Sequence, residues 1–353
     1  MLFDDIYERL SKALDRLPNG FPRTSSKIEL RILKKLFSSE EATIASQLNG
    51  TVEPIEVIAK KIGVSVQEAQ GKLVKMTKRG LVWHEDQKGK QMFRLAPFIV
   101  GIYEAQLETM DHELAHFVEE YLTNGGAIGI MKPQPALHRV IPAQKAVKSE
   151  LILPYDDVKA ILLNSKSFGL RDCICRVQQK HLDHKCEFPL RTCLFFSDYE
   201  RPPHQYTISK DEALAFLDMA EEIGLVHTVS NVMKGVGYVC NCCGCCCGIL
   251  RGITEWGIEN SVAHANYIAT IDPDQCLNCG ICTNRCQVHA ITQHNNTASV
   301  NPQKCIGCGL CATGCPINAA HLKRKSDSET IDPPENFAAW EHERLHNREL
   351  VKQ

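Results

Sequence analysis

Residues 276–315 contain Cys276-Leu-Asn-Cys279-Gly-Ile-Cys282-Thr-Asn-Arg-Cys286 and, after a gap of 18 residues, Cys305-Ile-Gly-Cys308-Gly-Leu-Cys311-Ala-Thr-Gly-Cys315, followed by Pro316. The pattern C-x2-C-x2-C-x3-C is written twice. Three cysteines at i, i+3 and i+6 in a glycine-containing loop can wrap one cube of iron and sulfide, and the fourth of each run turns toward the other cube. The spacing therefore assigns Cys276, Cys279, Cys282 and Cys315 to one [4Fe–4S] cluster, and Cys305, Cys308, Cys311 and Cys286 to a second. Zinc sites group cysteines in pairs. Two tandem runs of four depart from that pattern, so iron–sulfur is the expectation.

The segment 261–325 resembles the bacterial two-cluster ferredoxin module. Pro316 fits the Cys-Pro ending of that family, whereas Gln287 stands where a second proline is usual. The resemblance implies a C-terminal ferredoxin-like domain that passes single low-potential electrons to or from a redox protein or oxidoreductase complex.

The chain has 353 residues, enough for two or three domains. Its 44% hydrophobic and 23% charged content is ordinary for a globular protein. No run approaches the roughly 18 apolar residues of a membrane span. The start, Met1-Leu-Phe-Asp-Asp-Ile, lacks a basic region followed by an apolar one, so a cytoplasmic location is expected. Eighteen cysteines in a reducing compartment argue for metal thiolates over disulfides. A net charge of −2 gives the whole molecule no general attraction for nucleic acid.

Residues 1–26 predict an amphipathic N-terminal helix, with Leu2, Ile6, Leu10, Leu14 and Leu17 on one stripe and Pro18-Asn19-Gly20 as its stop. Residues 27–97 predict four helices: one around Ile28–Phe37, one over Glu40–Leu48, one over Pro54–Ile62 ended by Gly63, and one capped by Ser65 with Glu68 as its capping-box partner. Two short strands follow, Leu81–His84 and Gln91–Leu95, joined at Lys88-Gly89. This order resembles the winged-helix fold of MarR-like and ArsR-like regulators. The resemblance implies Ser65–Lys78 as a recognition helix and Asp86–Lys90 as the wing tip. Residues 27–95 hold 13 Lys and Arg against 8 Asp and Glu, and Lys72, Lys75, Lys78 and Arg79 are suited to phosphate contact. Only Ser65, Gln67 and Gln70 face base edges, however, and Glu68 would sit beside phosphate. Winged helices also dock proteins, so a redox partner or a homodimer is expected ahead of DNA.

Residues 98–149 predict a helix and a linker. Ile102, Leu107, Leu114, Phe117, Val118 and Leu122 mark the helix, and the Pro/Gly-rich stretch 123–142 predicts a linker or lid at a domain boundary. His112 and His116 share one helix face without a further ligand nearby, which suits surface histidines.

Residues 150–260 predict a cysteine-rich metal-binding domain. Leu151-Ile-Leu-Pro154-Tyr155 precedes a helix over 156–167, and Cys173-Ile-Cys175-Arg176, Cys186 and Cys193 follow. A helix from Ser209, with Glu212 as capping partner, runs to Ile223 and ends at Gly224; Leu225–Val229 predicts a strand. Then comes Cys240-Asn-Cys242-Cys243-Gly-Cys245-Cys246-Cys247. Six cysteines in eight positions without metal would oxidise and scramble, so this segment ligates metal. One or two further Fe–S clusters are expected across 173–247. Cys173, Cys175, Cys186 and Cys193 suffice for one cubane and the run 240–247 for another; alternatively the two segments combine. His181 and His184 could substitute as ligands, or be plain solvated histidines. Little apolar sequence separates the cysteines, so folding beyond residue 150 is expected to require metal.

The segment resembles the cysteine-rich half of iron–sulfur proteins of anaerobic bacteria and archaea that are described only as 4Fe–4S binding proteins. Cys242-Cys243-Gly244 also resembles the cysteine–cysteine–glycine modules of heterodisulfide reductases, which implies an irregular cluster. Residues 326–353 form a polar tail with a helix over Asn336–Val351.

The chain has no G-x-G-x-x-G after a strand and no G-x-x-x-x-G-K-[ST], and nothing in it singles out a catalytic residue. The expected architecture is multidomain α+β: an N-terminal winged helix-turn-helix, a central cysteine-rich α+β domain and a C-terminal 2×[4Fe–4S] domain. The expected function is electron transfer. Two alternatives are a redox-responsive DNA-binding regulator and a reductase acting at an irregular cluster held by Cys240–Cys247.

Overall fold

The apolar stripes of the N-terminal third bury against one another as their spacing requires. The computed structural model describes residues 2–147, 152–184, 186–294 and 297–351. The expected boundary between residues 149 and 150, and Leu151, lie outside them. The described chain divides into two compact units: residues up to Pro133 with Val177–His184 and those from Arg344 on, and Gln134–Arg176 with residues 186–343.

In the first unit, α1 (Leu2–Asp15) buries Leu10 and Leu14. Next come α2 (Ile28–Leu36), α3 (Ser39–Ala45), β1 (Glu53–Pro54), α4 (Ile55–Ile62), α5 (Val66–Lys78), β2 (Val82–Gln87), β3 (Lys90–Leu95), α6 (His112–Tyr121) and α7 (Ala127–Met131). The strands form an antiparallel sheet in the order β1–β3–β2, with Val82 opposite Leu95 and Gln87 opposite Lys90. Gly63 ends α4 at φ 74°, in the left-handed region that a Cβ disfavours. Ser65 Oγ accepts from the Glu68 N–H at 3.2 Å, but Glu68 is paired with Lys72 instead of closing the expected capping box. Ser38 and Glu41 do close one, ahead of α3. Arg344, from the C-terminal helix, is fully buried and donates to the carbonyls of Pro18, Ile130 and Pro133, while Arg348 pairs with Asp15.

The second unit is built on a six-stranded antiparallel sheet. Its elements are β4 (His138–Ile141), α8 (Val158–Leu163), β5 (Ser167–Asp172), the start of α9 (Ile174–His181), β6 (Arg191–Ser197), β7 (Thr207–Ile208), α10 (Lys210–Ile223), β8 (Val226–Ser230), β9 (Tyr238–Cys242) and α11 (Gly248–Thr254). The strand order is β4–β8–β9–β6–β5–β7. Val158 and Leu162 of α8 and Phe216, Leu217 and Ala220 of α10 pack with Phe168, Leu194, Val229 and Val239 of the strands. Ser209 and Glu212 cap α10 reciprocally, and Gly224 ends it at φ 93°.

Two expectations are corrected here. The stretch 123–142 is not a bare linker or lid: it carries α7 and β4, and all four residues of β4 are buried. Burial on both faces removes the polar–apolar alternation that marks a half-buried strand. The sheet also has a contiguous apolar core, so the expected scarcity of core beyond residue 150 does not hold.

The same unit continues through β10 (Tyr267–Ile271), α12 (Ile281–Arg285), β11 (Ile291–His294), β12 (Thr297–Val300), α13 (Leu310–Thr313), β13 (Ala320–Arg324) and the start of α14 (Phe337–Val351). β10 pairs with β13 and β11 with β12, both antiparallel. The polar tail packs on the protein body: Trp340 of α14 is buried and donates its indole N–H to the Ala136 carbonyl at 3.0 Å.

His138 of β4 is buried between Thr228 and Tyr238, and burial pulls its pKa from 6.5 down to about 4. The unfolded imidazole takes a proton near pH 6.5 and the folded one near 4, so the unfolded state binds more protons in between. Stability contributed at higher pH is therefore lost as pH falls from 6.5 toward 4, by up to about 3 kcal/mol. Unfolding of wild type and His138→Gln, compared across this window, should give a flatter pH slope for the variant. Equal slopes would remove His138 as the cause.

Candidate metal centres

The two cysteine runs fold as near copies. Gly280 and Gly309 both take the left-handed conformation, at φ 78° and 77°, and lead into the short helices α12 and α13. His289 and Asn318, each three residues past the last cysteine of its run, repeat a positive φ. These turns aim amides at sulfur: Asn278 N–H donates to Cys276 Sγ at 3.4 Å, Ala290 N–H to Cys286 Sγ at 3.2 Å and Ala319 N–H to Cys315 Sγ at 3.2 Å. Such donors favour the thiolate.

Cys276, Cys279, Cys282 and Cys315 line one cavity, whose other walls include Ile271, Ala298 and Ile317. Cys286 lies beside Cys305, Cys308 and Cys311. Each set takes three cysteines from one run and one from the other, a donor set that fits a thiolate-held iron–sulfur cube. Their surroundings differ. Cys279 is exposed, and the neighbouring Leu277 is 72% exposed. Cys305 and Cys311 are buried, and burial pushes the Cys311 thiol up to about 12 and Cys308 well above its ordinary value. Backbone N–H groups of Ala298 and Asn278 instead hold Cys276 below its ordinary value.

Two side chains fix this module onto the sheet domain. Arg285 donates to the carbonyls of Glu221 at 2.8 Å and Glu222 at 2.7 Å, closing the C-terminus of α10, and to that of Leu310 at 2.9 Å. Gln287 donates to the Gly224 carbonyl at 3.1 Å and accepts from the Gly244 N–H at 2.9 Å. The departure from proline at this position thus has a structural use, because proline could make neither bond. A Cβ on Gly244 would lie 2.0 Å from the Gln287 carbonyl oxygen, so only glycine fits there. The turn between Cys243 and Cys245 therefore abuts the residue that follows Cys286.

The central cysteines fall into two groups. The register of β6 and β9 sets Cys193 opposite Cys240, and Cys242 shares their face two residues on. Cys173 follows β5, Cys175 lies in the first turn of α9, and Cys247 is the N-cap of α11. Cys173 lies near Cys175, Cys175 near Cys247, Cys247 near Cys242 and Cys242 near Cys240. The second group is Cys186, Cys243, Cys245 and Cys246, whose sulfurs lie within 4.8 Å of one another. Neither group is the set Cys173, Cys175, Cys186 and Cys193, and the run 240–247 is split between them. Sulfurs from the two sequence segments thus lie side by side.

Arg176 was singled out only as the end of the Cys-Ile-Cys-Arg motif, yet it is central. It is buried, donates to Thr192 Oγ1 and to the Asn241 carbonyl, and lies near Cys173, Cys242 and Cys243. Burial alone would depress the guanidinium; the sulfurs outweigh it and hold it above its ordinary value. Hydrogen bonds from Cys245 and Cys246, with Arg176 adjacent, push Cys243 toward the thiolate. The signal available in the sequence was an arginine set between cysteines with no acid beside it. His181 and His184 fall among the residues of the first unit, and neither joins a group of three or more metal-ligating atoms among the described residues. His112 and His116 place their Nε2 atoms 3.2 Å apart, without a third such ligand among the described residues.

Residues 269–322 match the family model of a 4Fe-4S dicluster domain. No curated protein and no solved structure matches the chain. The dicluster match and the cysteine clusters support an iron–sulfur electron-transfer role and at least one [4Fe–4S] cluster. No helix among the described residues is long and apolar enough to cross a membrane.

Replacing Gln287 by Ala removes both of its hydrogen bonds and should cost about 1–3 kcal/mol of stability with iron content unchanged. Thermal unfolding and iron analysis check this together. Loss of iron from the variant would instead give Gln287 a role in holding a cluster.

Proposed function

We propose that this protein is a cytoplasmic iron–sulfur electron carrier that exchanges single electrons with a partner oxidoreductase. Its ligands would be Cys276, Cys279, Cys282 and Cys315 for one [4Fe–4S] cluster and Cys286, Cys305, Cys308 and Cys311 for another. A further cluster would draw on Cys173, Cys175, Cys193, Cys240, Cys242 and Cys247. When bound, clusters of this kind take up and release single electrons.

One observation carries this reading: the sulfur sites form a graded series. The set around Cys279 is open to solvent and rimmed by Leu277 and Ile281, both exposed, which suits exchange with a partner. The set around Cys308 is more enclosed, with Cys305 and Cys311 buried and Cys286 and Cys308 half-buried, and the Cys308 carbonyl accepts from the Ala143 N–H at 2.9 Å. From there Gln287 reaches the turn at Gly244, between the central cysteines. The chain's own groups donate N–H bonds to Cys286 and Cys315 and set Arg176 as a fixed positive charge beside Cys173, Cys242 and Cys243.

The helix pair α4–α5 and the hairpin β2–β3 support a winged-helix reading of the N-terminal unit, and its charge pairing favours protein docking or dimerisation over DNA. Lys72 is engaged by Glu40 and Glu68, and Arg79 by Glu41 and the Leu36 carbonyl. Phosphate contact would have to break these pairs. The reductase reading, with its irregular cluster on Cys240–Cys247, has less support, because Cys243, Cys245 and Cys246 of that run gather with Cys186 instead.

Cys308→Ala should lose about four irons and most electron transfer to an artificial acceptor; unchanged iron and spectrum would sink the ligand assignment. Replacing Lys72, Lys75 and Lys78 together by Ala should leave electron transfer intact. Loss of a salt-sensitive DNA affinity in that triple variant would move the assignment to the regulator.

A further inference from the structure

We propose that Cys186, Cys243, Cys245 and Cys246 hold a single four-coordinate metal ion, a mononuclear tetrathiolate centre separate from any iron–sulfur cube. The sulfur spacing carries the inference. Cys186 Sγ lies 3.9 Å from Cys243 Sγ and 3.8 Å from Cys245 Sγ, and Cys245 Sγ lies 3.7 Å from Cys246 Sγ. A tetrahedral ion with metal–sulfur bonds of about 2.3 Å places its four sulfurs about 3.8 Å apart. In a cube each thiolate ends on a different iron, so the four sulfurs stand much farther apart.

The rest of the chain supplies an internal scale. Among the described residues, no three sulfurs of the ferredoxin-like module form so tight a group, and neither do three of Cys173, Cys175, Cys193, Cys240, Cys242 and Cys247. Nor are these four thiols bonded to one another, since a disulfide would bring sulfurs to about 2.05 Å.

The backbone prepares the site. The Cys247 N–H donates to the Cys243 carbonyl at 3.2 Å and folds 243–247 into a tight turn, which presents Cys243, Cys245 and Cys246 together. Cys186 arrives from the loop before β6, where the neighbouring Phe188 packs on the apolar core. Cys243 and Cys246 are buried, so four sulfurs close the coordination shell and leave no position for substrate. A divalent ion with four thiolates carries a net charge of −2, and binding releases the thiol protons. Buried charge needs a partner, and the Arg176 guanidinium stands beside Cys243. Soft thiolates in tetrahedral array select zinc or ferrous iron. Either ion would tie the 186 loop to the β9–α11 turn and, through Gly244 and Gln287, to the dicluster module.

The test uses full-length protein purified without oxygen. Metal analysis is combined with X-ray absorption at the zinc and iron edges, Mössbauer spectroscopy, and a Cys246→Ser variant. The expected result is one ion per chain bound by four sulfurs at about 2.3 Å with no metal neighbour, and its selective loss in the variant while cluster iron stays. A zinc-edge signal identifies a structural zinc; a lone tetrahedral FeS4 site in the Mössbauer spectrum identifies iron. Loss of about four irons in Cys246→Ser would overturn the proposal, and so would alkylation mapping that finds these cysteines in disulfides. Should Cys246→Ser fail to fold, the absorption and Mössbauer spectra of the wild-type protein decide by themselves: a site with a short metal–metal distance, or no mononuclear site, rules the centre out.

Discussion

Sulfur buried beside apolar side chains is the constraint on which the second unit depends. A thiol there resists giving up its proton, as burial shows at Cys308 and Cys311. Holding thiolates in such ground takes positive charge or donated N–H bonds. The chain supplies some of each: amides from Asn278, Ala290 and Ala319, and the guanidinium of Arg176. Cys243 and Cys246 belong to the same packed core as Leu194 and Val239, so a metal bound there would couple its loading to the packing of that core.

The sheet arranges that chemistry through register. Setting Cys193 opposite Cys240 places sulfur from two strands on one face, and alternation adds Cys242 while turning Asn241 the other way. Asn241 then serves the opposite side: its amide donates to the Thr192 carbonyl at 2.8 Å and its side-chain oxygen meets His227. A one-residue slip of β9 would exchange these roles. Past the strand the tight turn points Cys243, Cys245 and Cys246 elsewhere, so one short run of cysteines serves two places. That division explains why ligand counting along the run gives no single site.

What could be read from the sequence follows from how local each signal is. The pattern 276–315 repeats at short range, and its left-handed glycines and short helices follow from the spacing itself. Helix ends were legible where one residue decides them, as at Gly63, Ser209 and Gly224. The capping box at Ser65 closed only halfway, because Lys72 offers Glu68 a better partner one turn on. β4 escaped notice because it is buried on both faces and flanked by prolines. The grouping of Cys186 with the 243–246 turn depends on chain pairing over a long separation, which no local spacing records.

Gln287 shows how a departure from a family pattern can be read as physics. After Cys315, the matching position of the second run, Pro316 turns the chain with no N–H to donate. At Gln287 the module lies against a sheet domain in which the Glu222 and Gly224 carbonyls at the end of α10 and the Gly244 amide of the cysteine turn each take a side-chain partner. A glutamine has one donor group and one acceptor for these two needs, and Gly244 leaves room for its backbone. The substitution therefore exchanges a stiff turn for a hydrogen-bonded joint, set where the residue after Cys286 meets the turn between Cys243 and Cys245. Arg285, two residues earlier, closes the remaining α10 carbonyls, so the two side chains act as one clamp. The module is thus built into its domain by hydrogen bonds to the end of α10 and to the turn at Gly244.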